Sequence, residues 1–191
     1  PGEEANDDSF CAELADLADL YVNDAFGAAH RVHASTVGVA NSLPAYMGLL
    51  LEHEIETLSN LLEAPEHPFV AIIGGAKISD KIDILGHLLD RVDTILVGGG
   101  MANTFLKAQG KEVGTSLVED DQLETARQLL EEAAAKGVKV MLPEDVVVAE
   151  NPDAERSENV AVDTVPADKM ILDIGSNTRG AFFREIQGAK T

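Results

Sequence analysis

Apolar and polar positions alternate in blocks along this chain. Strand-length apolar runs occur at "LYVNDAF" (from Leu20), "FVAIIGG" (from Phe69), "TILVGGG" (from Thr94), "VKVMLP" (from Val138) and "MILDIG" (from Met170). Several are apolar on both faces, as a buried parallel strand requires. Segments of helical period lie between them. "FCAELADLADL" is short and amphipathic. The stretch from Gly48 to Ala64 predicts the longest early helix, with apolar residues at Leu51, Ile55, Leu58 and Leu62, before Pro65 and Pro68 interrupt it. "SDKIDILGHLLD" and "MANTFLKAQG" follow the first two glycine-ended strands. "DDQLETARQLLEEAAAKG" opens on acids and stops at Gly137, as the helix dipole and C-cap favour. "NTRGAFFREIQ" predicts a closing helix.

Strand followed by helix, repeated from Phe69 onward, predicts an α/β fold with a parallel, Rossmann-like sheet. "APEHPF" is the candidate boundary between the long helix and the repeating unit. No internal repeat or low-complexity tract is visible.

Composition narrows the classes. At 191 residues and 45% apolar, the chain can build one large or two small domains. No run of apolar residues is long enough to span a bilayer. The start, "PGEEANDDSF", lacks a basic segment and an apolar signal core, so export is not expected; the missing initiator Met suggests processing or a fragment. Cys11 is the only cysteine, so no internal disulfide can form, and a cytoplasmic setting is the simplest expectation. Acidic residues number 34 against 14 basic ones, a formal net charge of -20. Such a surface repels phosphate backbones and disfavours nucleic-acid partners. The acids are spread over many segments, which suggests adaptation to high salt, where screening removes their mutual repulsion.

Against this background a site for an anionic ligand must gather its cations locally. Ligands of open α/β sheets bind beyond the carboxyl ends of the strands. Three strands here end in glycine: Gly74-Gly75, Gly98-Gly99-Gly100 and Gly175. Together they predict a nucleotide-sized ligand. Neither "GGAKIS" nor "GGGMAN" has the spacing of a Walker loop or a dinucleotide fingerprint, so hydride transfer is the weaker alternative. At about 100° per residue, a helix begun at Lys77 puts Lys81, Ile84, Leu85 and Leu88 on one side. Asp80, Asp83, His87 and Asp90 fall on the other. Two cations at a helix start are unfavourable by about 0.3–1 kcal/mol each, and a phosphate bound to the same free N–H groups offsets that cost. The competing possibility is a lysine snorkelling from the apolar face. A second basic cluster, "AHRVHAS", holds His30, Arg31 and His33. Arg31 suits a bidentate contact to carboxylate or phosphate, or else a surface turn. The two histidines lack a third metal ligand nearby. The acids of "LVEDDQLE" read as a solvated helix start.

The stretches "YVNDAFGAAHRVHAS", "FVAIIGGAKISDKI", "ILVGGGMANTFL", "GTSL", "GVKVMLPEDVVVA" and "MILDIG" together resemble phosphoglycerate kinase, in that family's order and over nearly the whole chain. The resemblance implies a two-domain, hinge-bending kinase that moves a phosphoryl group reversibly from 1,3-bisphosphoglycerate to ADP. It implies that residues 1–47 end the 3-phosphoglycerate-binding domain, with Arg31 in its basic patch and His30 assisting. Residues 48–66 would be the interdomain helix and linker, and residues 67–191 the first part of the nucleotide-binding domain. On the same resemblance Lys81 follows the phosphoryl group in flight and Lys77 holds the nucleotide phosphates. Gly75, Ala76, Gly99, Gly100 and Gly175 would wall the nucleotide site. Mg²⁺ would arrive with ATP or ADP, its protein ligand lying outside this chain, and a monomer is expected. Family members are about twice as long, and their D-x-N, H-x-G-R, W-N-G-P and G-G-G-D motifs are absent here. The chain therefore reads as an internal segment, inactive by itself. Ser176 replaces a proline common in the family.

Overall fold

A computed structural model describes residues 1–191. The chain divides into two compact units, Pro1–Ala64 and Pro65–Thr191. No helix is long and apolar enough to cross a membrane.

The first unit starts with α1 (Asp8–Ala15), capped by Asp7, whose carboxylate accepts the N–H groups of Ser9 and Phe10. Strands β1 (Tyr21–Asn23) and β2 (Ala45–Met47) pair in parallel. The crossover runs through a wide turn at Ala34–Gly38 into the short α2 (Val39–Ser42). α3 (Leu49–Glu63) is the long predicted helix. Its first N–H groups are taken by Asp24, whose Oδ1 accepts from Leu50 at 2.7 Å and Leu51 at 3.0 Å. The predicted apolar stripe of α3 is covered only at Leu51, while Ile55, Leu58 and Leu62 stay exposed.

In the second unit, β3 (Val70–Ile73), α4 (Ile82–Leu88), β4 (Thr94–Val97), α5 (Gly99–Ala108), α6 (Leu123–Lys136) and β5 (Lys139–Met141) follow in order. The strands form a parallel sheet in the order β3-β4-β5, with Val70 opposite Thr94 and Thr94 opposite Lys139. Ile78, Leu85, Leu89, Ile95, Val97, Met101 and Phe105 pack one core between this sheet and its helices. Burial on both faces holds for β4, whose four residues are all buried, but Ile72 of β3 is 64% exposed.

The rest of the unit departs from the expected all-parallel order. β6 (Asp145–Ala149), β7 (Glu158–Ala161) and β8 (Met170–Ile174) form an antiparallel sheet in the order β7-β6-β8. A parallel return needs a crossover, usually helical, of a dozen or more residues, but only a short helix-free loop joins Ala149 to Glu158 and only a loop with a single 3₁₀ turn joins Ala161 to Met170. Leu106, Val113, Val146, Val148, Val162 and Val165 form a second core against this sheet. α5 supplies both cores and is buried at Met101–Leu106 and Ala108, so it ties the two sheets together. α7 (Ser176–Gly188) closes the chain.

Candidate functional site

The glycine turns after β3 and β4 are in contact. The Gly98 N–H donates to the Ile73 carbonyl at 2.9 Å, and the Met101 N–H donates to the Gly75 carbonyl at 2.9 Å. A Cβ on Gly99 would lie 2.9 Å from both the nitrogen and the oxygen of Gly75, and Gly99 has a φ of 66°. Both facts demand glycine there. A Cβ on Gly100 would lie 3.1 Å from the Ala76 carbonyl oxygen. Gly75, Ala76, Gly99 and Gly100 thus form one platform. Gly99 and Gly100 open α5, where N–H groups have no intrahelical acceptor.

Next to the platform, the lysine segment is not one helix. Lys77 lies outside any regular element, Ser79–Lys81 form a 3₁₀ turn, and α4 starts only at Ile82. The side predicted to be apolar is therefore misplaced. Ile84, expected inside, is 47% exposed, and the buried row is Leu85 and Leu89 with Ile82 partly covered. Ile78, fully buried, anchors the segment between an exposed Lys77 and a half-buried Lys81. Ion pairs occupy Lys107, Lys111, Lys136, Lys139 and Lys169, and include neither Lys77 nor Lys81.

Glu119 corrects two expectations. Its Oε2 accepts the Ile78 N–H at 2.6 Å and the Ser79 N–H at 3.2 Å, and its Oε1 accepts the Ser79 hydroxyl at 2.5 Å. So Glu119 is no solvated helix-start acid, and the N–H groups expected to receive a phosphate at this helix start already hold a carboxylate. Burial pushes the Glu119 carboxyl up. The Ser79 hydroxyl, the N–H groups of Ser79 and Ile78, and the positive charge of Lys77 outweigh that and hold it below its ordinary value.

The third glycine turn is built differently. Gly175 caps α7, and a Cβ there would lie 2.2 Å from the Asp145 carboxyl carbon. Asp145 is buried and accepts from the Thr178 hydroxyl at 2.6 Å, the Thr178 N–H at 2.7 Å, the Asn177 N–H at 3.0 Å and the Asn159 amide at 2.7 Å. Burial opposes its charge, but these donors prevail and hold the carboxyl far below the usual range. The Ser176 N–H goes to Asn159 Oδ1 at 2.9 Å. The start of α7 is thus filled by the protein's own side chains, as the start after β3 is by Glu119, and of the three glycine-ended strands only the second, at Gly99–Gly100, leaves a helix start open.

Between the Gly99–Gly100 turn and β8 lies a cleft of about 20 Å³, lined also by Ala102, Asn103, Asp173 and Ile174. Its volume suits a single water. Asn103 is 2% exposed; its amide nitrogen donates to the Leu117 carbonyl at 3.2 Å, and its Oδ1 has no partner.

In the first unit, Arg31 and His30 are both exposed, and the Arg31 carbonyl accepts the Thr36 hydroxyl at 2.6 Å. His33 does not join them: its Nδ1 lies 3.9 Å from Glu3. Nowhere do three His, Cys, Asp or Glu side chains gather as a metal site.

Glu119, Asn103 and Asp145 were missed in the sequence. Glu119 gave no signal, because it sits in an acidic run and its partners Ile78 and Ser79 lie far back along the chain. Asn103 and Asp145 gave none, since each looks like an ordinary polar residue until its burial is known.

Comparison with known proteins agrees with this architecture. The family model described as phosphoglycerate kinase matches residues 1–191. A phosphoglycerate kinase of Moorella thermoacetica is 58% identical over 192 residues, covering 100% of this chain and 49% of the relative. One from Herpetosiphon aurantiacus is 55% identical over 192 residues, with the same coverage. The solved phosphoglycerate kinase of Coxiella burnetii superposes with a TM-score of 0.85 at 44% identity, over 100% of this chain and 50% of that one. That of Pyrococcus horikoshii gives 0.75 at 27% identity, over 96% and 48%. The chain spans about half the length of the curated relatives it matches. It belongs to the phosphoglycerate kinase family.

Proposed function

We propose that this chain is the part of a phosphoglycerate kinase that carries the nucleotide-phosphate platform, in an enzyme that transfers a phosphoryl group reversibly from 1,3-bisphosphoglycerate to ADP, giving 3-phosphoglycerate and ATP. The observation that carries this reading is the contact of the two glycine turns beside two lysines held out of every ion pair. The acyl phosphate is already activated, so no general base is required. The protein's work is to align two anions, exclude water and neutralise charge on the migrating group. Lys77 holds the nucleotide phosphates, together with the N–H groups of Gly99 and Gly100. Lys81 follows the phosphoryl group as its bond to the carboxylate breaks and its bond to the ADP oxygen forms. Gly75, Ala76 and Gly175 complete the walls of the nucleotide site. Arg31, assisted by His30, binds the phosphoglycerate.

In this reading residues 1–47 belong to the phosphoglycerate domain, residues 48–66 to the interdomain helix and linker, and residues 67–191 to the nucleotide domain, and hinge closure unites the substrates. Mg²⁺ comes with the nucleotide. The side chains of this chain form no cluster of ligands for it. The enzyme is a cytoplasmic monomer without nucleic-acid or membrane partners, and its charge of -20 suits a saline interior.

A second reading, a non-catalytic nucleotide-binding segment, is favoured for the isolated 191 residues by their span of about half the relatives' length. Titration calorimetry with Mg-ADP tests the platform, and heat of binding that NADH but not ATP abolishes would contradict it. A coupled ATP-consumption assay on the same chain separates the two readings: no turnover is expected, and turnover above background would overturn the second.

A further inference from the structure

The two lysines assigned to phosphate sit on a segment with little regular structure of its own: an irregular stretch and one 3₁₀ turn. Such a segment needs outside support to hold a cation in place. The support comes from the connection between α5 and α6. Glu119 takes the Ile78 N–H, the Ser79 N–H and the Ser79 hydroxyl with its two carboxylate oxygens. The Glu119 N–H in turn donates to the hydroxyl of Thr104 at 3.2 Å, and Thr104 is 1% exposed within α5. α5 is the same helix whose first turn, Gly99–Met101, is fastened to Gly75. So α5 holds the Gly75–Lys81 segment at two places, Gly75 through Met101 and Ile78–Ser79 through Thr104 and Glu119.

We infer that Glu119 is a positioning residue for phosphoryl transfer: it clamps the backbone between Lys77 and Lys81 to α5, so that both ammonium groups meet the nucleotide platform in register. The inference rests on the role given above to Lys81. Three convergent donors on one carboxylate fix the segment's place and direction, which a single hydrogen bond cannot do. The carboxylate also lies within the electrostatic reach of Lys77 without forming an ion pair with it, so Lys77 keeps its head for a ligand. In catalysis a cation displaced by about 1 Å can cost about 100-fold in rate. Glu119 itself touches no reacting atom in this account.

The test uses a full-length phosphoglycerate kinase carrying this segment, assayed well below its melting transition. E119A should lower kcat by about 10-fold or more while the KM for Mg-ADP changes by only a few-fold. E119Q keeps the shape and an accepting oxygen and should restore most of the rate. On a Lys81→Ala background, E119A should cost clearly less additional rate than it does with Lys81 present, because only the placement of Lys77 is left to lose. Unchanged kcat in E119A, a loss in E119Q as large as in E119A, or the same loss with and without Lys81 would each overturn the inference. If Lys81→Ala alone leaves turnover intact, the role of Lys81 fails and takes this inference with it. If Lys81→Ala is slow and E119A multiplies with it, only the inference fails. Should E119A not fold, E119D replaces it: one methylene shorter, it keeps the charge but withdraws from Ile78, and it must show the same fall in kcat.

Discussion

The Met101 N–H donates to the carbonyl of Gly75 at 2.9 Å, so the turn after β3 is fastened to the first turn of α5. Two strand ends thereby become one surface, and the space between them is too small for a methyl group. Gly99 shows this directly, because a Cβ there would meet Gly75 at 2.9 Å.

That contact predicts a difference between two glycines with similar backbones. Gly99 has a φ of 66° and Gly110 a φ of 85°, but a Cβ on Gly110 meets nothing within 4 Å. Gly110→Ala should cost about 1 kcal/mol, from backbone strain alone. Gly99→Ala carries the clash as well and should cost more, and it should weaken Mg-ADP binding at least about 10-fold by moving the platform. Urea unfolding and calorimetry measure both; equal effects would mean that the close contact is unimportant.

Asp145 predicts an acid limb to stability. Its carboxyl is held far below its unfolded value of about 3.9, so it stabilises the fold above that pH and the contribution is lost as pH falls toward its folded value. Asp93 and Glu185, also shifted downward, act in the same direction. Asp145→Asn should lower stability at pH 7 by about 2–3 kcal/mol, through loss of charge-assisted hydrogen bonds. It should also flatten the fall in urea midpoint below about pH 5. Parallel pH curves for wild type and variant would contradict this.

Much of this fold was legible in the chain, for reasons that can be named. β3 and β4 announced themselves because an apolar run meets glycine at Ile73 and Val97, where the chain must turn into a helix. α6 ended at Gly137 as read, with that residue left-handed at φ 75°. The antiparallel sheet was not legible. "DVVVA" starts two residues after Pro143 with a buried aspartate, and the partners of that aspartate, Asn159 and Thr178, lie far along the chain. The site was half legible. Gly75, Ala76, Gly99 and Gly100 do meet, but the helical wheel failed at Lys77 because α4 begins five residues later, at Ile82. Periodicity carries no information about where a helix starts when the start is held by a distant side chain such as Glu119.

The charge predicts a salt response. With a net charge of -20, most carboxylates face solvent and repel one another. Raising KCl shortens the screening length from about 10 Å at 0.1 M to about 3 Å at 1 M. The melting temperature should therefore rise steadily over that range, as calorimetry can record. A flat or falling curve would count against adaptation to salt.

The central claim is that Lys81 neutralises the phosphoryl group in flight, and one measurement reaches it most directly: steady-state kinetics of Lys81→Ala in a full-length phosphoglycerate kinase carrying this segment. Loss of a charge that acts mainly in the transition state should lower kcat by about 100-fold or more. The KM for Mg-ADP should change only a few-fold. Turnover equal to that of the parent enzyme would contradict the claim.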